Sequence, residues 1–235
     1  MALPIPKYKF PPEYQNTSRL TYYATLFNSI EVNRSFYKIP LKRTITNWAS
    51  SVNQDFKFTF KLFKAITHEK NLSYDNLHIE QFMEAISFVL TKKGCILIQF
   101  PPSLKNNNIY QLDNLLRTIR NIDSDSTWTI AVEFRNKGWY NDDVYNVLDT
   151  HNSTLVVHDI PVSATPLITQ SSNIIYIRFH GPTGNYRGSY TDDFLMEYAG
   201  YIKAWLEEKK TVYAYFNNTM GNAFQNLVTL KKFAT

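Results

Sequence analysis

The chain has 235 residues, 44% of them hydrophobic and 15% aromatic, so it carries too much apolar surface to be a mainly disordered protein. Its one cysteine, Cys95, excludes a disulfide framework and a cysteine-based zinc module, and its seven glycines form neither of the glycine-rich nucleotide-binding loops. The net charge of +5 is compatible with nucleic acid or with an anionic small molecule as the ligand.

Seven short runs rich in β-branched and aromatic residues predict strands, at residues 29–33, 57–62, 95–100, 129–135, 154–159, 174–180 and 212–217. Helical spacing predicts helices before, between and after them, at residues 19–27, 43–51, 79–91, 110–119, 143–150, 192–209 and 223–233. The stretch 159–173 contains two prolines and is the weakest helical prediction, with a loop as the alternative.

This alternation of strand and helix indicates parallel strands joined by helical crossovers. The length and the C-terminal helix favour an α/β fold of the TIM (β/α)8 barrel type, as a single domain over residues 1–235. The first strand is expected to be atypical or missing. Residues 1–17 contain four prolines and are interpreted as an irregular N-terminal segment, in which residues 5–10 are the only candidate for that strand.

Polar side chains recur near the C-terminal ends of the predicted strands, where TIM barrels carry their active sites. Side chains two residues apart lie on the same face of a strand, and the candidate residues are expected on one such face near the strand ends. Acid–base chemistry is expected from Glu133, His180 and Glu31. Substrate binding is expected from Asn33, Lys61, His68, Gln99, Arg135, Asp159, Arg178, Tyr215 and Asn217. A network of salt bridges without catalytic function is the alternative interpretation of these charges.

Loops after the predicted strands carry three aromatic residues, Trp139, Tyr186 and Tyr190. They suit stacking on a sugar or a base, and they suit packing within the loops equally well. Arg187 lies in the glycine-containing loop 181–188, and loops at this point of a TIM barrel often bind phosphate.

No cofactor and no metal ligand is predicted. A divalent metal ion held by carboxylates and a histidine is the competing interpretation, with Glu31, Glu133, Asp159 and His180 as its ligands. The cations Lys61, Arg135 and Arg178 are expected on the same face and would repel a metal ion.

Six short motifs follow one another along the chain. They are FNSIEVNRSFY with Pro40 and Trp48, FTFK with Thr67 and His68, QFPP, EFR with Trp139, RFHG and YFNN. In this order, over about residues 18–224, they resemble the domain-of-unknown-function family 72, the YecE-like proteins. The resemblance implies a TIM-barrel fold and brings no established reaction. The small-residue first strand of that family has no counterpart in this chain.

The favoured function is binding of an anionic, phosphorylated or sugar-like small molecule, with acid–base chemistry of the kind used by hydrolases, lyases and isomerases. A nucleic-acid-binding or nucleic-acid-processing protein is one alternative, for which the pI near 9.1 is weak support, and a non-catalytic binding barrel is another. We expect a cytoplasmic location, because no signal peptide is recognisable, and no membrane partner. An open barrel edge predicts homo-oligomers.

Overall fold

The computed structural model of the chain describes residues 3–168 and 171–235. By their internal contacts these residues form two compact units, Leu3–Ile130 and Ala131–Thr235, and each is described by itself. The single domain expected from the sequence stays a prediction.

Within the described residues the strands are β1 Ser29–Val32, β2 Lys57–Lys61, β3 Lys93–Gln99, β4 Thr129–Glu133, β5 Ser153–His158, β6 Ile174–Phe179, β7 Arg187–Gly188, β8 Thr211–Phe216 and β9 Met220–Gly221. The α-helices are α1 Arg19–Leu26, α2 Lys42–Ser50, α3 Lys64–Thr67, α4 Asn76–Ser87, α5 Ile109–Ile122, α6 Asp142–Thr150, α7 Asp192–Glu207 and α8 Ala223–Ala234. The one-turn helix α3 and the two-residue strands β7 and β9 were not predicted. No helix is present in the described part of residues 159–173, in agreement with the loop alternative.

The strand order is β1-β2-β3-β4-β5-β6-β8, which follows the chain order of the seven long strands. The pairs β1–β2, β2–β3, β5–β6 and β6–β8 are parallel. The predicted class, an α/β fold of the TIM (β/α)8 type with seven clear strands and the first strand missing, is confirmed by this order.

Residues 5–10, the candidate for an atypical first strand, do not form one, so of the two expected alternatives the structure has the missing strand. Within residues 3–28 there is no strand, and Lys7–Lys9 form a 3-10 turn. Neighbouring prolines fix the backbone φ angle and remove N–H donors, which disfavours a strand that pairs on both sides. The segment is instead held by Phe10, whose ring lies 4.2 Å from that of Tyr22, and by Arg19, which donates to backbone carbonyl oxygens of the segment.

In the first unit, β2 lies between β1 and β3 and is buried on both faces, as expected for a parallel strand covered by helices. Phe58, Thr59 and Phe60 follow one another in it and are all fully buried. The strand is therefore buried at its three central residues, including the polar Thr59, and partly exposed at its two terminal lysines.

In the second unit, α7 and α8 cover one face of β6 and β8. Ile175, Ile177 and Phe179 of β6 pack with Leu195 of α7 and Leu230 of α8 in one buried cluster. Because side chains alternate along a strand, the intervening residues of β6, which include Arg178, face away from the helices. Thr191 caps the N-terminus of α7, because its side chain accepts a hydrogen bond from the Phe194 amide.

Two loops of the second unit are joined by the short parallel pair of β7 and β9. Gly188 and Gly221 face each other there, and a Cβ atom on Gly221 would overlap the backbone of Gly188. We therefore expect Gly221→Ala to lower the free energy of unfolding by about 1–3 kcal/mol, as overpacking does. The matched control is Gly200→Ala in α7, where a Cβ meets nothing within 4 Å.

The control is expected to raise the free energy of unfolding by up to about 1 kcal/mol, because alanine favours a helix over glycine. Urea denaturation of both variants gives the comparison. Equal effects of the two substitutions would show that the loop pair does not constrain the fold.

Candidate active site

Five of the predicted site residues of the second unit form one hydrogen-bonded group, here called the arginine–histidine cluster. Its members are Glu133, Arg135, Asp159, Arg178 and His180. They come from the C-terminal ends of β4, β5 and β6, or from the first residues after these strands. Parallel strands bring their C-terminal ends to one edge, which is why residues up to 47 positions apart in sequence meet here.

Glu133 is fully buried and pairs with both arginines of the cluster. Its Oε1 accepts a hydrogen bond from the Nε of Arg135, and its Oε2 accepts one of 2.6 Å from a terminal nitrogen of Arg178. Burial by itself would raise the pKa of the Glu133 carboxyl, but the charges of Arg178 and Arg135 outweigh it and hold that pKa well below 4.5. Glu133 is therefore an ionised carboxylate whose two oxygens are both engaged.

His180 is also fully buried, and its neighbours determine its tautomer. Its Nε2 lies 3.0 Å from a terminal nitrogen of Arg135 and 3.3 Å from one of Arg178. Because guanidinium groups only donate hydrogen bonds, Nε2 accepts and carries no proton. Burial is the main cause that lowers the pKa of His180; the hydrogen bond to Asp159 and the charge of Glu133 oppose it, and the charges of Arg178 and Arg135 add to it. The two donors at Nε2 and the lowered pKa both favour a neutral imidazole with its proton on Nδ1.

Asp159 holds the other side of this imidazole. Its Oδ1 lies 3.2 Å from Nδ1 of His180 and accepts a 2.8 Å hydrogen bond from the backbone N–H of the same residue. Its Oδ2 accepts a hydrogen bond from the hydroxyl of Tyr190, and that hydroxyl in turn accepts one of 2.5 Å from the Gly181 amide. The carboxylate thus fixes the ring orientation, and Tyr190 fixes the carboxylate.

Two further residues next to the cluster were not among the predicted site residues. The ring of His158 lies 5.8 Å from that of His180, and its Nε2 donates a 2.9 Å hydrogen bond to the Phe134 carbonyl oxygen. The Tyr140 hydroxyl lies 3.2 Å from the same Nε2. His158 is the last residue of β5 and Asp159 follows the strand, where side chains no longer have to alternate between two faces.

His158 provides a pH-dependent contribution to stability. Burial is the main cause that lowers its pKa from 6.5 to about 4. At pH values between 6.5 and about 4, this histidine is protonated in the unfolded chain and neutral in the folded protein. Its contribution to the free energy of unfolding is therefore complete above pH 6.5 and is lost as the pH falls towards 4. We expect a loss of about 1.4 kcal/mol per pH unit from this residue in that window.

Urea denaturation at several pH values between 7 and 4.5 tests this prediction with the variant His158→Gln. The variant is expected to have a lower free energy of unfolding at pH 7 and a shallower decrease towards acid. An unchanged pH slope in the variant would contradict the neutral, buried state of His158.

Tyr215 and Asn217 of the second unit lie on and just after β8. Tyr215 stands opposite Arg178 in the register of β6 and β8, and its ring lies 5.3 Å from that of Tyr176. The backbone N–H of Asn217 donates a 2.7 Å hydrogen bond to the Phe179 carbonyl oxygen, which extends the pairing of the two strands. Their substrate-binding role stays a prediction.

Three of the predicted residues of the first unit, Lys61, His68 and Gln99, are connected by a hydrogen bond and by a shared aromatic neighbour. The Nζ of Lys61 donates a 2.8 Å hydrogen bond to Oε1 of Gln99 and lies 4.1 Å from the ring centroid of Phe36. The ring of His68 lies 4.9 Å from the same Phe36 ring. Phe36 was not predicted, although it is part of the motif FNSIEVNRSFY.

Glu31 and Asn33 are joined directly, since the Asn33 amide donates a 2.9 Å hydrogen bond to the Glu31 carboxylate. The roles of Glu31, Asn33, Lys61, His68 and Gln99 in catalysis or binding stay predictions.

Within residues 3–168 and 171–235, no three histidine, cysteine, aspartate or glutamate side chains are grouped so that they could hold one metal ion. In the same residues, no helix combines the length and the apolar character that crossing a membrane requires.

Comparison with known proteins finds similarity over nearly the whole chain. A sequence model described as "Protein of unknown function DUF72" matches residues 6–235. The UPF0759 protein YunF of Bacillus subtilis (strain 168) is 24% identical over 246 residues, which cover 90% of this chain and 84% of that protein. The UPF0759 protein YecE of Escherichia coli (strain K12) is 28% identical over a shorter stretch of 79 residues, 34% of this chain and 29% of that protein.

Two solved structures have a similar fold. A DUF72 family protein from Enterococcus faecalis V583 superimposes with a TM-score of 0.80 at 22% identity, covering 92% of this chain and 88% of that one. A DUF72 family protein from Thermotoga maritima MSB8 gives a TM-score of 0.69 at 25% identity, covering 91% and 87% of the two chains.

Proposed function

Because this chain belongs to the DUF72 family of proteins of unknown function, a membership that brings no reaction with it, we propose a function from its own arginine–histidine cluster. The protein is an enzyme that binds a small anionic molecule, phosphorylated or sugar-like, and transfers a proton at Nε2 of His180. The observation that carries the proposal is the environment of this imidazole, with two guanidinium groups at Nε2 and a carboxylate at Nδ1.

Anion binding is assigned to the two arginines. Guanidinium groups bind phosphate and carboxylate through paired hydrogen bonds, and here two of them converge on one nitrogen atom that carries no charge. An anion offers these donors stronger acceptors than a neutral imidazole does. The side chain of Arg135 keeps 9% of its surface exposed, against 3% for Arg178, so Arg135 is the group that a ligand from solvent meets first.

Proton transfer is assigned to His180. Once the arginines turn to the anion, Nε2 is left with its lone pair available and can accept a proton from the bound substrate. The proton then resides on Nε2, and the electron pair stays on the substrate, where the arginines stabilise the negative charge. Asp159 stabilises the imidazolium that forms and keeps Nδ1 protonated throughout.

Glu133 has a different role in this proposal from the acid–base role that the sequence suggested. Its pKa is well below 4.5 and each of its oxygens accepts a hydrogen bond from a guanidinium group, so it is a weak base in this state. It instead holds Arg135 and Arg178 at the spacing that lets both reach His180. We therefore assign Glu133 as a positioning residue.

Isothermal titration calorimetry tests the proposal with inorganic phosphate, glucose 6-phosphate and citrate as probes at pH 7.5. The wild-type protein is expected to bind a phosphorylated probe with a stoichiometry of about one per chain. His180→Gln is expected to retain binding of the anion, because the arginines remain, while losing any proton-transfer activity.

The matched control is Arg117→Gln, which removes an arginine from the surface of α5 in the first unit and is expected to change no affinity. Absence of binding for all three anions to the wild-type protein would refute the proposal. Tight, salt-sensitive binding of oligonucleotides in their place would favour the nucleic-acid alternative.

A further inference from the structure

Tyr186 lies beside the arginine–histidine cluster with its ring still accessible. The ring centroid is 5.4 Å from that of His180, and the two planes meet at 81°. The residue keeps 43% of its surface exposed, whereas His180 beneath it is fully buried. The side chain of Tyr186 thus contacts a buried histidine on one side and solvent on the other. A ligand that reaches this histidine can therefore contact Tyr186 as well.

The backbone holds Tyr186 in this place at a conformational cost. Its φ angle is 66°, a left-handed value that is uncommon for a bulky residue other than glycine. Two hydrogen bonds enforce it. Its N–H donates to the His180 carbonyl oxygen at 2.6 Å, and its carbonyl oxygen accepts from the Met220 N–H at 3.2 Å. Strained residues persist where the surroundings over-determine them, and they concentrate at ligand sites.

The pairing of β7 with β9 follows Tyr186 directly and closes the loop around it. Arg187 pairs with Met220 and Gly188 with Gly221. The backbone of Tyr186 is therefore held by hydrogen bonds on both sides of the residue, and these bonds do not involve a ligand.

The geometry points to Tyr186 as a specificity-determining residue that contacts an uncharged ring of the ligand, so that the substrate class is a cyclic sugar carrying an anionic group. This inference rests on the proposed function, since the anion must first lie at Arg135 and Arg178. The C–H groups of a sugar ring pack on an aromatic face while the hydroxyl groups stay solvated. A ring attached to an anion bound at His180 lies within reach of Tyr186 because the two side chains are in contact.

Calorimetry with three phosphates tests the inference. Glucose 6-phosphate has a ring, glycerol 3-phosphate is a phosphorylated open chain, and inorganic phosphate supplies the anion alone. The wild-type protein is expected to prefer glucose 6-phosphate over glycerol 3-phosphate by about 3- to 10-fold, the range of one aromatic contact. Tyr186→Leu should remove this preference without changing the affinity for inorganic phosphate, and Tyr186→Phe should retain it.

Tyr186→Gly provides a second variant that separates recognition from folding. Glycine adopts positive φ without strain, so this variant is expected to fold at least as stably as the Tyr186→Leu variant while also lacking the preference. Failure of all three phosphates to bind the wild-type protein would refute the proposed function itself. A different outcome would overturn only the role of Tyr186: inorganic phosphate binds, and the preference for glucose 6-phosphate over glycerol 3-phosphate is the same in the wild-type protein and in both non-aromatic variants.

Discussion

Replacement of Glu133 by glutamine is expected to lower the free energy of unfolding by about 3–5 kcal/mol. Glutamine has nearly the same shape but no charge, so Arg135 and Arg178 keep their positions and lose the carboxylate that neutralises them. Both side chains are nearly buried, with 9% and 3% exposure, and a buried cation that loses its partner carries a large desolvation cost.

The matched control for this substitution is Glu84→Gln, which removes an exposed carboxylate from α4 and is expected to change stability by no more than about 0.5 kcal/mol. Chemical denaturation at pH 7 compares the two variants. Similar stabilities for them would mean that the buried pairs of Glu133 contribute little, and the role of this residue in holding the arginines would have to be abandoned.

The same carboxylate predicts a dependence on acid. Its folded-state pKa lies below the ordinary value of 4.5, so its stabilising contribution is present above pH 4.5 and is lost as the pH falls through the folded-state pKa. The Glu133→Gln variant should lack this part of the acid dependence.

Replacement of Arg135 by lysine is expected to weaken binding of phosphorylated ligands by about 10- to 100-fold, the range of a charged hydrogen bond. Lysine keeps the positive charge beside Glu133, so the variant should fold. It has a single ammonium group in place of the planar fork with which Arg135 contacts Glu133 and His180 at once.

Isothermal titration calorimetry with inorganic phosphate measures this effect, and Arg117→Lys on α5 is the control that changes an exposed arginine in the same way. Unchanged affinity in the Arg135→Lys variant would place the anion elsewhere on the protein.

The sequence predicted the strands of this fold well, because several of its parallel strands are short runs of apolar and β-branched residues that end at a polar residue. The apolar run in β3 ends at Gln99, and the run in β4 ends at Glu133. The first strand position was the exception. Its only candidate, residues 5–10, is held in an irregular conformation by its prolines and by the side chains of Gln15 and Arg19, which bond to its carbonyl oxygens.

Strand parity also predicted most of the arginine–histidine cluster. Arg178 and His180 are two residues apart, as are Glu133 and Arg135, and each pair meets the other in the structure. The alternation of side chains between two faces holds only within a strand, so it predicts nothing about residues that follow the strand end.

Asp159, the first residue after β5, contacts His180, and His158 lies close by as well. The contact between Asp159 and Tyr190 joins residues 31 positions apart through a loop, and no local pattern predicts it.

The most direct test of the account is a nitrogen-15 NMR titration of the histidine side chains with inorganic phosphate, with the His180 signals assigned from the spectrum of His180→Gln. At pH 6.5 without ligand, His180 is predicted to be neutral, with its proton on Nδ1. Phosphate is predicted to shift its Nε2 resonance in a saturable way, whereas Arg135→Lys should need about 10- to 100-fold more phosphate. A His180 that is charged at pH 6.5 before phosphate is added, or one whose Nε2 resonance does not respond to phosphate, would contradict the assignment of this imidazole as the base of an anion-binding site.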